Sequence, residues 1–298
     1  MAITVKASID NAVEKYVAES RYTMQERPGV IWKNLRTETL PANSGPSVNI
    51  PKYGTVTTFA LTEGVDMQQA QEITDTGLAI TPAEFGAQVT LTKMLLLTTK
   101  DEFFRVAGRL LGDSFDRQRE QTLADDLDNF SVTTGAAAQA LNVGHIMGDY
   151  ASLKYNAPAD GTAGRGGEPA PDPVYGFFTP ASIHSLKKTM VGGIGAAANT
   201  QVPPDLARTQ YQDEFNVGGV NIRGTINLNK DASDDVKGGV LSKEAIIGVQ
   251  LGGGPDAEKE YDSSLRAWEV NFVGRWARAE YNDAWGRERT SDSALPTS

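Results

Sequence analysis

Residues 47–128 decide the fold, and they read SVNIPKYGTVTTFALTEGVDMQQAQEITDTGLAITPAEFGAQVTLTKMLLLTTKDEFFRVAGRLLGDSFDRQREQTLADDLD. Apolar residues alternate in an outgoing strand (Val48, Ile50) and, more clearly, in a returning strand (Phe85, Ala87, Val89, Leu91). A polar stretch, Thr62 to Thr76, lies between them and has too few apolar residues for a core of its own. Because a lone two-stranded ribbon is only marginally stable in water, the pattern predicts an arm that packs against another subunit.

A long helix is predicted directly after this arm. Thr99 and Glu102 have the spacing of a capping box, in which each side chain satisfies a backbone amide at the helix start. The helix is predicted to run to Asp128, about 45 Å at ~1.5 Å per residue, which suits a structural spine. One apolar stripe is formed by Phe104, Ala107, Leu111, Phe115, Leu123 and Leu127. The terminal acids Asp125, Asp126 and Asp128 oppose the helix dipole, so either the helix ends earlier or Arg side chains from elsewhere meet them.

Further elements are predicted on both sides of these residues. A first helix begins at Ser8 and continues loosely to Met24. A Gly- and Pro-rich surface loop occupies residues 156–173. After it we expect a strand at Val174–Phe178, a helix that begins at Pro180, a strand through Val220, Ile222, Ile226 and Leu228, an apolar segment at Val240–Leu251, and a closing strand through Trp268, Val270, Phe272 and Trp276.

The amino-acid composition argues against several classes of function. The net charge of the 298 residues is −10, and an acidic surface argues against sequence-specific DNA binding while leaving non-specific contact with packed DNA. The absence of Cys excludes disulfides, thiol nucleophiles and thiolate metal sites. The longest helical apolar cluster, Met94 to Leu97, is too short to span a bilayer, and the N-terminus does not resemble a secretory signal.

Motifs for catalysis are weak throughout. His145 and His184 are far apart in sequence, which makes a zinc site improbable. Residues 193–198 match a loose dinucleotide pattern, but they follow a predicted helix instead of a strand. Asn227, Asn229 and Asp231 resemble the start of a calcium loop without its glycine and glutamate, so a polar turn is expected. Residues 112–116 lack the second glycine of a nucleophile elbow. The sequence therefore predicts no catalytic, cofactor or metal site, and no enzyme.

Charge is distributed unevenly along the chain. Residues 55–85 contain no Lys or Arg, whereas the C-terminal segment is rich in Arg. A solvated loop is one interpretation of the acidic stretch. The other is an inter-subunit contact between Glu63, Asp66, Glu72 and Asp75 of one copy and Arg275, Arg278, Arg287 and Arg289 of a neighbour.

The order of these parts resembles the major capsid protein of tailed double-stranded DNA bacteriophages. LAITP (78–82) and GAQVTLT (86–92) look like the return strand of that family's extended loop. VYGFFTP (174–180) is similar to its strand–Pro–helix element, and VLSKEAI (240–246) and residues 266–286 resemble its closing region. Each motif alone is degenerate, and their order carries the resemblance.

The resemblance implies an α+β fold of the Johnson type, with an N-terminal arm (1–45), an extended β-hairpin loop (46–97), a peripheral domain with the spine helix (98–130 and 255–290), an axial domain (131–254) and a C-terminal tail (291–298). It implies a structural coat protein that self-assembles, without a cofactor, into hexamers and pentamers of an icosahedral shell around the genome. The virion is the expected location, after assembly in the host cytoplasm. Expected partners are copies of the chain, a separate scaffolding protein, a portal, a decoration protein and packaged DNA, with no membrane. A trimmed N-terminus is the alternative to a separate scaffold.

Two other readings stay open at this stage. An encapsulin-like nanocompartment shares the fold and houses cargo enzymes instead of a genome. A β-rich binding module or a hydrolase would be a monomer. Lys52 lies near the loop, but nothing in the sequence identifies a partner Asn, so no cross-linking is predicted.

Overall fold

The computed structural model describes residues 29–41, 45–53, 56, 58–61, 63–64, 66, 70–98, 101–155, 168–195, 214–252 and 256–295. Several predictions lie outside these residues: the helix from Ser8 to Met24, the Thr99 cap of the long helix, most of the loop at 156–173, and Ala196 to Ala198 of the dinucleotide pattern.

The described chain forms two sheets, a separate hairpin and five α-helices. The helices are α1 (Val30–Asn34), α2 (Lys93–Thr98), α3 (Asp101–Leu127), α4 (Val143–Tyr155) and α5 (Pro180–Gly195), with a 3₁₀ turn at Asp283–Trp285. The strands are β1 (Arg36–Leu40), β2 (Val48–Tyr53), β3 (Asp75–Ile80), β4 (Ala83–Thr92), β5 (Thr133–Gly135), β6 (Val174–Phe178), β7 (Phe215–Val217), β8 (Val220–Gly224), β9 (Asp235–Ser242), β10 (Ile246–Leu251), β11 (Asp256–Asp262), β12 (Ala267–Glu280) and β13 (Gly286–Asp292). This α+β composition is the predicted one.

The six-stranded sheet has the order β5-β13-β9-β6-β8-β7 and carries the largest hydrophobic core. Its strand β6 reads VYGFF and is buried except at Tyr175, as expected for an apolar run that is covered on both faces. The next helix, α5, begins at Pro180, and the amide of Ser182 donates to Thr179 Oγ1 at 3.3 Å as an N-cap. The predicted strand–Pro–helix element is therefore confirmed.

The five-stranded sheet is built around β12, the longest described strand. β4 pairs with one edge of β12, β10 and β11 pair with the other, and β1 runs parallel to β10. Burial alternates along β12, and the predicted apolar face at Trp268, Val270, Phe272 and Trp276 is buried. The strand predicted through Leu228 is shorter than expected, because β8 ends at Gly224 and Ile226 is 76% exposed.

The strand pairing predicted for the arm is wrong. β2 pairs with β3, so that Val48 faces Ile80 and Ile50 faces Leu78, whereas β4 pairs with β12. β4 pairs with β12 instead of β2 because the body of the subunit offers an apolar surface for β4. Its apolar face joins a cluster with Leu111 and Phe115 of α3 and with Trp268, Val270 and Phe272 of β12. A second strand of an isolated ribbon offers far less apolar surface.

The long helix α3 agrees closely with its predicted range. It contains 27 residues, which at ~1.5 Å per residue gives about 40 Å. Leu111, Phe115, Leu123 and Leu127 of the predicted stripe are buried, the first pair beneath β4 and β12 and the second in the core of the six-stranded sheet. The helix therefore joins the two sheets and functions as a spine.

Candidate assembly surfaces

From here on, the arm means residues 48–80, which contain β2 and β3. The arm has a packed base and an exposed tip. At the base, Ile50 and Ile80 are 7% and 2% exposed, and they pack against Leu40, Ile247 and Val249 of the five-stranded sheet. Lys52 Nζ lies 5.7 Å from the centre of the Tyr281 ring, and Tyr281 Oη donates to the Pro51 carbonyl at 3.4 Å. These contacts hold the base of the arm on the body of its own subunit.

The tip presents large apolar side chains to solvent. Tyr53, Val56, Leu61 and Ile73 are 67%, 56%, 64% and 67% exposed. Single exposed apolar residues are ordinary on protein surfaces, but four of them within one hairpin segment mark a candidate interaction site. We call these four side chains the apolar tip.

The acidic residues considered for an inter-subunit contact lie on the surface of the arm. Glu63, Asp66, Glu72 and Asp75 are all exposed. Within the described part of the chain, no cation lies within ion-pair distance of these four carboxylates. In the described ranges, the negative charge of these arm residues is therefore not neutralised by a salt bridge within the subunit.

Two of the four candidate arginines are not surface residues. Arg287 is 1% exposed, and its guanidinium donates to Ser152 Oγ at 3.1 Å and to the carbonyls of Ala284 and Gly286. Burial lowers the pKa of the Arg287 guanidinium, and the nearby carboxylates of Asp283 and Asp149 oppose the shift. Arg289 is 5% exposed and binds both carboxylate oxygens of Asp149. In this structure both arginines hold β13 against α4, so neither presents its charge to a neighbour.

The other two arginines are nearer the surface and also have partners in their own subunit. Arg278 Nε donates to Asp126 Oδ2 at 2.6 Å, which confirms that an Arg meets one of the acids at the end of the spine. Burial raises the pKa of Asp126, and Arg278 opposes that shift. Arg275 binds Glu84 and Asp256 across three strands, with a side chain that is 38% exposed. The side chain of Arg278 is 28% exposed, less than that of Arg275, so Arg275 is the better candidate for an inter-subunit contact.

The exposed face of the spine helix contains two apolar residues that the sequence analysis did not single out. Val106 and Leu110 are 53% and 65% exposed, although α3 buries the neighbouring Leu111. Their spacing of four residues places them on one helix face, beside the predicted stripe. This spacing was visible in the sequence, but the stripe through Leu111 and Phe115 accounted for the helix without them.

Residues that resembled catalytic or metal sites have structural roles. The amide of His145 donates to Asn142 Oδ1 at 2.9 Å near the start of α4, and burial followed by Arg289 lowers the pKa of His145. Asn229 donates to Asp125 and Asp128, and Asp231 Oδ1 accepts the amides of Ser233 and Asp235, so the predicted polar turn is confirmed.

The described ranges also contain no cluster of three metal-ligating side chains. His184 lines a cavity of about 590 Å³ with Lys187, Glu214 and Arg223, and Arg223 is ion-paired to Glu214 at 3.2 Å. None of the helices in the described ranges is both long and apolar enough to cross a bilayer.

Comparisons with known proteins were made at the levels of sequence and of structure. No protein-family model and no curated protein sequence matches the chain. Solved structures do match over most of its length. The capsid of Ralstonia phage GP4 is 13% identical, with a TM-score of 0.67 over 89% of this chain and 88% of that chain. The head structure of Helicobacter pylori bacteriophage KHP40 is 10% identical, with a TM-score of 0.67 over 87% and 88%.

A third structure extends the similarity. The mature capsid of bacteriophage PhiM1 is 14% identical, with a TM-score of 0.62 over 90% of this chain and 88% of that chain. At such low identity the agreement concerns the path of the backbone. The chain therefore has the fold of these capsid subunits, and the predicted fold is confirmed.

Proposed function

We propose that the chain is the major capsid protein of a tailed double-stranded DNA bacteriophage, a structural protein without enzymatic activity. The observation that carries the proposal is the arm, whose base is packed on its own subunit and whose apolar tip is not. The fold it shares with capsid subunits supports the same conclusion. The shell would consist of hexamers and pentamers, assembled in the host cytoplasm and present in the virion.

The arm supplies the mechanism of assembly. Placed over a neighbouring copy, the apolar tip would leave water, and each Å² of apolar surface so buried stabilises the contact by about 25 cal/mol. Each subunit both gives an arm and receives one, so a closed shell multiplies a modest interface many times. Such avidity makes the particle persistent while single contacts remain weak enough to rearrange.

The proposal also includes the division of the chain into domains and the partners of the shell. Residues 1–45 would form the N-terminal arm, 46–97 the extended loop, 98–130 and 255–290 the peripheral domain, 131–254 the axial domain at the capsomer centre, and 291–298 a tail. The sheet pairing crosses the border between the axial and peripheral domains at two places, because β10 lies in the sheet of β12 and β13 lies in the sheet of β9. A scaffolding protein, a portal, a decoration protein and non-specifically bound DNA are the proposed partners.

Expression of the full chain, followed by sedimentation and negative-stain electron microscopy, tests the function. We expect closed particles, and in infected cells particles that protect DNA from nuclease. Particles that instead enclose an enzyme with a docking tail would establish the encapsulin-like alternative. A monodisperse monomer at high concentration, with and without neighbouring gene products, would contradict both shells.

The acidic residues of the arm yield a separate prediction about salt. Neutralising all four, as Glu63→Gln, Asp66→Asn, Glu72→Gln and Asp75→Asn, is expected to flatten the salt dependence of assembly, because screened inter-subunit pairs no longer contribute. Exposed pairs contribute about 0–1 kcal/mol each, so particle yield should change less than the salt dependence. Light scattering across a salt series measures both. The matched control neutralises Glu258 and Glu260, exposed acids of β11 outside the arm. An unchanged salt dependence in the fourfold variant would remove the charge-pairing hypothesis.

A further inference from the structure

The spine helix holds α1 through a buried carboxylate. Glu120, 2% exposed, accepts the backbone amides of Ile31 at 2.9 Å and of Trp32 at 3.0 Å. These amides belong to the first turn of α1, which has no intrahelical partner for them and no side-chain cap of its own. A Cβ atom on Gly29 would lie 2.1 Å from Glu120 Oε1, so the approach of this carboxylate requires glycine there.

Two more side chains of α3 complete the cluster: a carboxylate one turn before Glu120, and an arginine directly before it. Asp116 is 8% exposed and forms an ion pair with Arg119 at 2.6 Å. The Arg119 guanidinium lies 4.8 Å from the ring centre of Trp32, whose ring packs edge-on against Trp276 of β12. The same three α3 side chains therefore hold both the backbone and the aromatic ring of α1.

The cluster has a net charge of about −1 when both carboxylates are ionised, and it is buried. Two carboxylates and one guanidinium lie largely out of water, and Asp116 Oδ2 and Arg119 Nε have no hydrogen-bond partner among the described residues. Burial raises the pKa of Asp116 to about 6, with Arg119 opposing the shift and Glu120 and Asp113 adding to it. Burial also raises the pKa of Glu120, against the effect of the α1 amides and Arg119. The neighbouring elements, α1 and β12, contribute backbone amides, Trp32 and Trp276.

We propose that Asp116, Arg119 and Glu120 form a proton-controlled latch, which sets how firmly α1 is held on the spine helix. One proton on Asp116 removes the excess negative charge of the buried cluster, while the bonds of Glu120 to the two α1 amides remain. The latch thus holds Gly29 and α1 on the body of the subunit. The inference concerns a single subunit and does not depend on the proposed shell.

The direction of the pH dependence follows from the pKa of Asp116 in the folded and exposed states. Burial raises the pKa of the Asp116 carboxyl to about 6 in the folded subunit, above its ordinary value of 3.8 when exposed. The folded form therefore binds the proton more tightly. The stabilisation is complete below the lower value and is lost as the pH rises through about 6. The latch is thus tighter at pH 5 than at pH 8.

Amide hydrogen exchange of the full-length subunit tests the latch. In a peptide that covers residues 29–35, protection corrected for the intrinsic exchange rate should be about 10-fold greater at pH 5 than at pH 8, because pH 5 lies one unit below the raised pKa of Asp116 and each unit corresponds to a factor of ten. Asp116→Asn should show strong protection at both pH values. Glu120→Gln should weaken protection at both, since it removes the charged acceptor.

Glu258→Gln is the matched control, because Glu258 is an exposed acid of β11 outside the cluster and its neutralisation should leave the pH dependence in place. A pH dependence in Asp116→Asn equal to that of the unmodified protein would overturn the proposal. If that variant fails to fold, a carboxyl ¹³C titration of the unmodified subunit decides the matter. A titration midpoint of Asp116 near 6 supports the latch, and one near its exposed value overturns it.

Discussion

Replacing Val56, Leu61 and Ile73 together by serine is expected to abolish shell assembly and to leave the subunit folded. All three side chains are more than half exposed on the tip of the arm, so the isolated subunit gains little from them. Substitutions at such surface positions usually change the free energy of unfolding by less than about 0.5 kcal/mol. Each fully buried side chain of this size contributes about 1.5–3 kcal/mol at a contact, and about 1.4 kcal/mol is already a tenfold change in affinity.

The effect on a closed shell should exceed the effect on any single contact. Every subunit in the particle would lose the same three side chains, so the loss is repeated around each capsomer. Sedimentation velocity and negative-stain microscopy measure assembly, and thermal unfolding of the variant measures the fold. We expect subunits with an unchanged unfolding midpoint and no particles.

Leu295→Ser is the control for this experiment. Leu295 is 77% exposed, as much as the arm residues, but it lies near the C-terminus and outside the arm. We expect the control to assemble normally. Particles formed by the triple variant in normal yield would show that the apolar tip does not make the contact.

The parts of the fold that were predicted correctly depend on local sequence patterns. The spine helix combines a helical apolar stripe with a start signal, and β12 combines strict alternation with four large aromatic or β-branched residues. The α5 helix is introduced by Pro180 directly after an apolar strand. Each pattern is contained in one segment, so the sequence alone specifies it.

The pairing of the arm could not be predicted in the same way, because two segments compete for β2. Residues 75–80 and 83–92 both carry alternating apolar side chains. The choice is decided by Leu111, Phe115 and Phe272, which offer β4 a larger apolar surface on the body. This information is distant in sequence from the arm.

The burial of the arginines was missed for a related reason. Arg287 and Arg289 alternate in β13 and therefore point to one side of the sheet, but alternation alone does not say whether that side faces solvent. It faces α4, which supplies Asp149 and Ser152. Glu120 was missed because its amide partners in α1 precede it by 88 and 89 residues.

Asp149→Ala is expected to destabilise the folded subunit by about 3–5 kcal/mol, because it leaves Arg289 buried without its counter-charge. The two side chains are only 3% and 7% exposed, and the ion pair is bidentate, with Arg289 Nη2 to Asp149 Oδ1 at 2.7 Å. Arg287, buried nearby, also interacts favourably with Asp149. At roughly 2–4 °C per kcal/mol for a domain of this size class, the unfolding midpoint should fall by about 10 °C. Thermal and chemical unfolding of the unassembled subunit measure the change.

The matched control and a compensating variant separate buried charge from lost packing. Asp256→Ala removes an acid whose side chain is 62% exposed and which pairs with Arg275, so it should change the free energy of unfolding by less than about 1 kcal/mol. Asp149→Leu combined with Arg289→Met removes both buried charges and keeps apolar volume, so it should recover most of the stability lost in Asp149→Ala. A double variant as unstable as Asp149→Ala would show that the hydrogen bonds of the pair, and not the unpaired guanidinium, account for the loss. A change below 1 kcal/mol in Asp149→Ala itself would mean that water reaches Arg289, and that β13 is held to α4 by its apolar contacts alone.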